Sequence, residues 1–213
     1  MKLVVINASS IALQGISFVL VKNSFGLAAK GASCTEVPKN SKKNMEVICA
    51  ISADNMNQQE PPSCPFKVKA RLNSKADSFL FELPCPLHVF LMEGGQATKE
   101  NFKNYWLAFD KSKEFVLEVT NLKPSCQSPD GMIQALEHFN VGLTTRVKKQ
   151  ENGQTMLYCS CQTVNSLPIV VEIGMPGGKP GIAARVVVRV PVPPIGPLMV
   201  ESLKFILVET KYT

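Results

Sequence analysis

The residues able to do chemistry are few in this chain, and their spacing is poor for most of it. Seven cysteines are present, Cys34, Cys49, Cys64, Cys85, Cys126, Cys159 and Cys161, with no CxxC pair among them. Cys159 and Cys161 stand two apart in a strand-like run and so share a face, but His88 and His138 are the only histidines that could join them. A structural zinc ion wants four ligands at recognisable spacing, so no metal site is expected. An odd number of cysteines without a secretory leader points to free thiols in a reducing compartment. The segment MPGGKPG (175–181) suggests a phosphate loop but fails its spacing. The GxxxxGK pattern would need glycine at Ile173, and Lys179 is followed by Pro180 rather than Ser or Thr. A hairpin turn is the expected structure there. Carboxylates such as Glu172 sit singly, and neither histidine is flanked by residues that mark a Cys–His nucleophile pair. The sequence therefore gives no reason to expect catalysis or a cofactor.

Recognition is the other chemistry on offer. The stretch NFKNYWLAFD (101–110) places Trp106, the only tryptophan, directly after Tyr105, one of three tyrosines. Such a pair is either a core anchor or a binding surface, since aromatic rings give large contact area with few rotors to freeze. Formal charge is +6, which would suit a weak encounter with anionic lipid or nucleic acid. The basic residues are dispersed, however, as Lys39, Lys42 and Lys43, then Lys67, Lys69 and Arg71, then Arg146, Lys148 and Lys149. Dispersed clusters read as solvated faces; direct binding of membrane or nucleic acid through Lys67, Lys69 and Arg71 is the alternative reading.

Elements must position these groups. Of 213 residues, 45% are hydrophobic and 19% charged, which suits an ordinary globular protein rather than a disordered one. The apolar start LVVI (3–6) is too short for a signal-peptide core, and no run reaches the length of a membrane helix, so a soluble chain is expected. FKVKARL (66–72) alternates Phe66, Val68, Ala70 and Leu72 with Lys67, Lys69 and Arg71, the period of a strand with one wet face. FLFEL (79–83) puts Phe79, Phe81 and Leu83 on one side, which is expected to face the core. Turn-rich segments such as KNSFG, EVPKNSKKN and NMNQQEPPS separate these strands and imply a small antiparallel sandwich. After LPCPL (83–87) the pattern changes. ATKENFKNYW has helical spacing with Thr98 as N-cap, and SPDGMIQALEHF (128–139) predicts a second helix opened by Pro129. EFVLEV (114–119), MLYCSCQTV (156–164), PIVVEIGM (168–175) and ARVVVRV (184–190) predict strands, and LMVESLKFILVE predicts a closing helix with Met199, Leu203, Ile206 and Leu207 on one stripe. The fold class is α+β in two lobes, with a boundary near residue 86: a sandwich over 1–86 and a sheet with packed helices over 87–213.

Several stretches, in order over nearly the whole chain, resemble a known family: KNSFGL (22–27), FLFELPCPLHVFLMEGG (79–95), the YW of NYWLAFD, GQTMLYCS (153–160) and LPIVVEIGMPGGKP (167–180). Together they resemble the C-terminal appendage, or ear, of the beta adaptins, large subunits of clathrin adaptor complexes. The resemblance implies an immunoglobulin-like β-sandwich followed by a helix-covered sheet, the platform. It implies a non-catalytic module that binds short, often helical peptide motifs of endocytic accessory proteins and cargo adaptors, with clathrin as a further candidate partner. Other adaptor subunits would be engaged through the rest of a longer chain. It implies a cytoplasmic location, peripheral on clathrin-coated membranes. In the family, a groove on the platform is lined at the positions of Trp106 and Tyr158, with Glu114, Glu172 and Lys149 at polar rim positions. Tyr105 and Leu107 flank that tryptophan. The chain departs from the family pattern at three places: Leu107 stands where vertebrate-type family members carry lysine, Lys149 where the family has arginine, and Leu80 where a tyrosine builds a second site on the sandwich.

Overall fold

A computed structural model of the chain describes residues 1–57, 62, 64–111, 114–177 and 184–208. The chain divides into two compact units, one ending at Cys85 and the other beginning at Pro86. The glycine-rich part of the 175–181 turn, with Lys179, lies outside the described residues, as does part of NMNQQEPPS.

The first unit is built of antiparallel strands: β1 (Lys2–Asn7), β2 (Leu13–Leu20), β3 (Leu27–Lys30), β4 (Ser33–Val37), β5 (Ser41–Glu46), β6 (Ile48–Ile51), β7 (Lys67–Asn73) and β8 (Ser78–Pro84). They form a four-stranded sheet in the order β4-β2-β7-β8 and two pairs, β1-β5 and β3-β6. Alternation does the work: Val68 and Ala70 are buried and their neighbours Lys67, Lys69 and Arg71 are exposed. The core gathers Ile16, Phe18, Phe25, Val37, Val47, Phe66 and Val68, with Phe25 edge-on to Phe66 at 5.0 Å. In KNSFGL, the Asn23 side chain accepts from the Leu27 N–H and donates to its carbonyl. Gly26 has φ +69, and a Cβ there would meet the Ser52 carbonyl oxygen at 2.7 Å, so only glycine fits the turn.

The aromatic strand differs from expectation. Register sets Phe79 opposite Leu72 and Phe81 opposite Ala70, on the face that carries Phe18. Phe81 reaches Phe18 at 6.3 Å, yet Phe79 is 53% exposed, Leu80 60% and Phe81 still 37%. The reason is position: β8 is an outer strand of its sheet, with a neighbour on one side only.

In the second unit α1 (Lys99–Ala108) precedes β9 (Phe115–Val119), then α2 (Pro129–Glu137), β10 (Gly142–Lys148), β11 (Thr155–Gln162), β12 (Pro168–Met175), β13 (Ala184–Arg189) and α3 (Ile195–Leu207). The sheet is antiparallel in the order β10-β11-β12-β13-β9. Thr98 caps α1 by accepting from the Asn101 N–H, and Ser128 caps α2 from the Gly131 N–H with Pro129 in the first turn. The closing helix begins at Ile195, earlier than the LMVESLKFILVE pattern, because Pro197 falls in its first turn, where no N–H is needed.

The register assigns the two sheet faces. One bears the rows Phe115–Val188–Val171–Cys159 and Leu117–Val186–Ile173–Leu157. All of them except Phe115 are buried. On this side Arg146 pairs with Asp130 of α2 at 2.7 Å, and Gly196 of α3 sits so close to the Phe115 ring that a Cβ would overlap it. Helices α2 and α3 therefore cover this face. The opposite face bears the row Val116–Val187–Glu172–Tyr158–Thr145, with Arg189, Val170 and Ser160 in the next. Ser160 Oγ accepts the Ala97 N–H at 2.8 Å just before α1, so α1 lies across this face.

Candidate functional site

Helix α1 presents Phe102 and Trp106, one turn apart, to the row that contains Tyr158. Phe102 is buried. Its ring runs parallel to Trp106 (5.7 Å between centroids, 13°) and meets Tyr158 edge-on (5.7 Å, 76°). Trp106 and Tyr158 are both half-buried. One buried phenyl ring thus touches both an indole and a phenol, each with part of its surface in solvent. Such a surface can take the apolar side chains of another chain.

Polar groups fix the two rings. Glu172 lies beside Tyr158 on the adjacent strand and accepts a hydrogen bond from its phenol; burial first, then the Glu172 charge and this hydrogen bond, push the Tyr158 pKa above its ordinary value. At the other end, Arg189 is only 7% exposed. It donates from Nε to Glu114 Oε1 at 2.9 Å and again from Nη2 to the same oxygen. Its Nη1 donates to the Trp106 carbonyl, and its guanidinium lies 3.9 Å from the centroid of the Trp106 ring.

Of the residues singled out in the sequence, Trp106, Tyr158, Glu114 and Glu172 come together in this cluster. The other three lie outside it. Tyr105 stacks on Phe109 (5.8 Å, 11°) and lines a separate cleft with Asn101, Gln162 and Pro168. Leu107 is 71% exposed. Lys149 is exposed, its N–H bonded to the Gln154 carbonyl in the turn that joins β10 to β11. It is four residues along from Thr145, the partner of Tyr158, or about 13 Å at strand rise.

Two members of the cluster went unrecognised in the sequence. Phe102 carried a signal, its i, i+4 spacing to Trp106. Arg189 carried only its alternation with Val188 and Val190, which gives its face and not its burial. The other reactive groups fall elsewhere: Cys126, Cys159 and Cys161 are packed in the core, and burial pushes the Cys159 thiol up to about 12. Among the described residues no group of three or more His, Cys, Asp or Glu side chains is placed to hold a metal ion, and no helix is long and apolar enough to cross a membrane.

A family model described as the beta2-adaptin appendage, C-terminal sub-domain, matches residues 92–207, which contain the whole cluster. The chain is also 23% identical over 171 residues to AP-1 complex subunit beta-1 of Mus musculus, an alignment that covers 80% of this chain and 17% of that protein. Against AP-1 complex subunit beta-1 of Homo sapiens it is 23% identical over 159 residues, covering 75% and 16%. Against AP-1 complex subunit beta of Dictyostelium discoideum it is 21% identical over 175 residues, covering 81% and 18%. The chain spans about a sixth of the length of these relatives.

Proposed function

This chain belongs to the beta-adaptin appendage family, and we propose that it is the non-catalytic interaction module of a clathrin adaptor beta subunit. In this reading residues 1–86 form an immunoglobulin-like sandwich and 87–213 the platform. The platform groove between Trp106 and Tyr158 receives short amphipathic motifs of endocytic accessory proteins and cargo adaptors during vesicle formation, with clathrin a further candidate. The module works peripherally on coated membranes, joined to other adaptor subunits through a longer chain. The observation that carries the reading is the pair of half-buried rings bridged by Phe102, each at 5.7 Å. A peptide helix would set Phe or Leu anchors on those rings, with Glu172 at the rim and Lys149 further out. Exposed Leu107 replaces a basic residue of the family pattern and makes the neighbouring surface more apolar.

Calorimetry with synthetic amphipathic peptides bearing Phe and Leu one helical turn apart tests this. A single peptide should bind in the micromolar range of small transient interfaces, and Trp106→Ala should weaken it by about 2 kcal/mol, roughly thirtyfold. Affinity should change little with added salt. Unchanged affinity in the variant, or a steep fall with salt, would shift the assignment to the basic face of Lys67, Lys69 and Arg71.

A further inference from the structure

We propose that Arg189 is the positioning residue of the groove: it fixes the angle at which Trp106 is presented and does not itself contact the peptide. The inference rests on the groove reading above. Three structural elements meet at this one guanidinium. The Trp106 carbonyl is among the last four of α1, which have no partner within a helix. The N–H of Phe109, just past the helix, makes the ordinary i to i−4 bond to the Tyr105 carbonyl and leaves that of Trp106 to another donor. Arg189 Nη1 supplies the missing donor. Helix α1 has no basic residue of its own in its last turn, so Arg189 also brings the cation that the negative end of the helix dipole favours.

The central carbon of the guanidinium then lies over the indole of the same residue, 3.9 Å from its centroid. Backbone and ring of Trp106 are thus held by one group. Glu114, immediately before β9, accepts two of the remaining donors and draws the strand entry to the same point. With these donors directed inward and the side chain sealed from solvent, Arg189 is not available to a ligand carboxylate. Lysine cannot replace it, because an ammonium has neither the flat face nor the fixed fork of donors.

Trp106 is the sole tryptophan, so its fluorescence reports on the clamp alone. Three forms are compared with wild type: Arg189→Lys, Arg189→Met, and the doubly neutral Arg189→Met with Glu114→Gln, which leaves no unpaired buried charge. The readouts are the emission maximum, quenching by acrylamide, the melting transition, and calorimetric affinity for the Phe/Leu peptide. Arg189→Lys and the double variant should melt cooperatively, emit further to the red, quench more readily, and bind the peptide about tenfold or more weakly. A mere structural ion pair would lower the melting point and leave the emission where it was. The proposal is overturned if emission, quenching and affinity stay at wild-type values in a cooperatively folded variant. It is equally overturned if none of the three forms keeps a cooperative transition, because Arg189 would then be a core residue. If the wild-type protein binds no peptide while the variants still shift the emission, the groove reading falls and the clamp on the indole stands.

Discussion

Replacing Glu114 by glutamine removes one charge from the Glu114–Arg189 pair and almost nothing else. Breaking a fully buried ion pair costs about 3–5 kcal/mol, because one charge is left without compensation. Here Arg189 is sealed, but the Glu114 side chain is 21% exposed, and glutamine still offers one acceptor to the guanidinium. The Trp106 carbonyl and ring also stay in place as partners. These terms reduce the expected loss to about 2 kcal/mol, a drop in melting temperature of about 8 °C for a unit of this size. Urea unfolding followed by tryptophan emission measures it directly, since the signal comes from the second unit alone. The matched control is Glu118→Gln, which breaks the Glu118–Arg185 pair at 3.5 Å between two exposed side chains and should cost less than about 0.5 kcal/mol. Equal losses in the two variants would refute the reasoning, for they would mean that burial gives the Arg189 pair no special weight.

Acid should weaken the second unit through His88. Its ring stacks on Phe205 at 5.1 Å and meets Phe139 edge-on at 4.8 Å, with a buried Nδ1 that has no partner among the described residues, and burial lowers its pKa. A depressed pKa favours the neutral folded form, so this contribution is present above the ordinary histidine value of about 6.5 and is lost as pH falls through the folded value. Melting between about pH 7.5 and pH 5 should therefore show a steeper loss in wild type than in His88→Leu; identical slopes would rule His88 out. Thiol reactivity should follow burial. Under native conditions iodoacetamide, read by peptide mass mapping, should label exposed Cys49 and Cys64 first and spare Cys126, Cys159 and Cys161, while Cys85, pushed up to about 11 by burial and by Cys49, lags behind the exposed pair. Early labelling of Cys159 would contradict the packing of β11.

Local signals were legible where local physics governs. Thr98 caps its helix and Pro129 opens the next as their spacing predicts, and period-two alternation marked the wet face of β7. The stripe of Met199, Leu203, Ile206 and Leu207 is buried as a helix of that pattern requires. Properties set by distant partners were not legible. Phe79 and Phe81 alternate like core residues, but exposure follows from β8 being an outer strand, and sheet order is not written in any one strand. Arg189 alternates like a solvent-facing residue and is buried because α1 crosses its face. Its partners Glu114 and Trp106 lie 75 and 83 positions away. Of the site, the rings and two carboxylates could be named from the resemblance. The group that joins the rings, Phe102, and the group that grips the indole, Arg189, required coordinates.

The central claim is that another chain's apolar side chains settle on Trp106 and Tyr158. It is tested most directly by a nuclear magnetic resonance titration with the Phe/Leu peptide, following the single indole N–H of the chain. Saturable movement of that resonance, together with the ring signals of Tyr158 and Phe102, is the predicted result. Saturable binding that leaves these signals still and moves only those of the first unit, around Phe79 and Phe81, would contradict it.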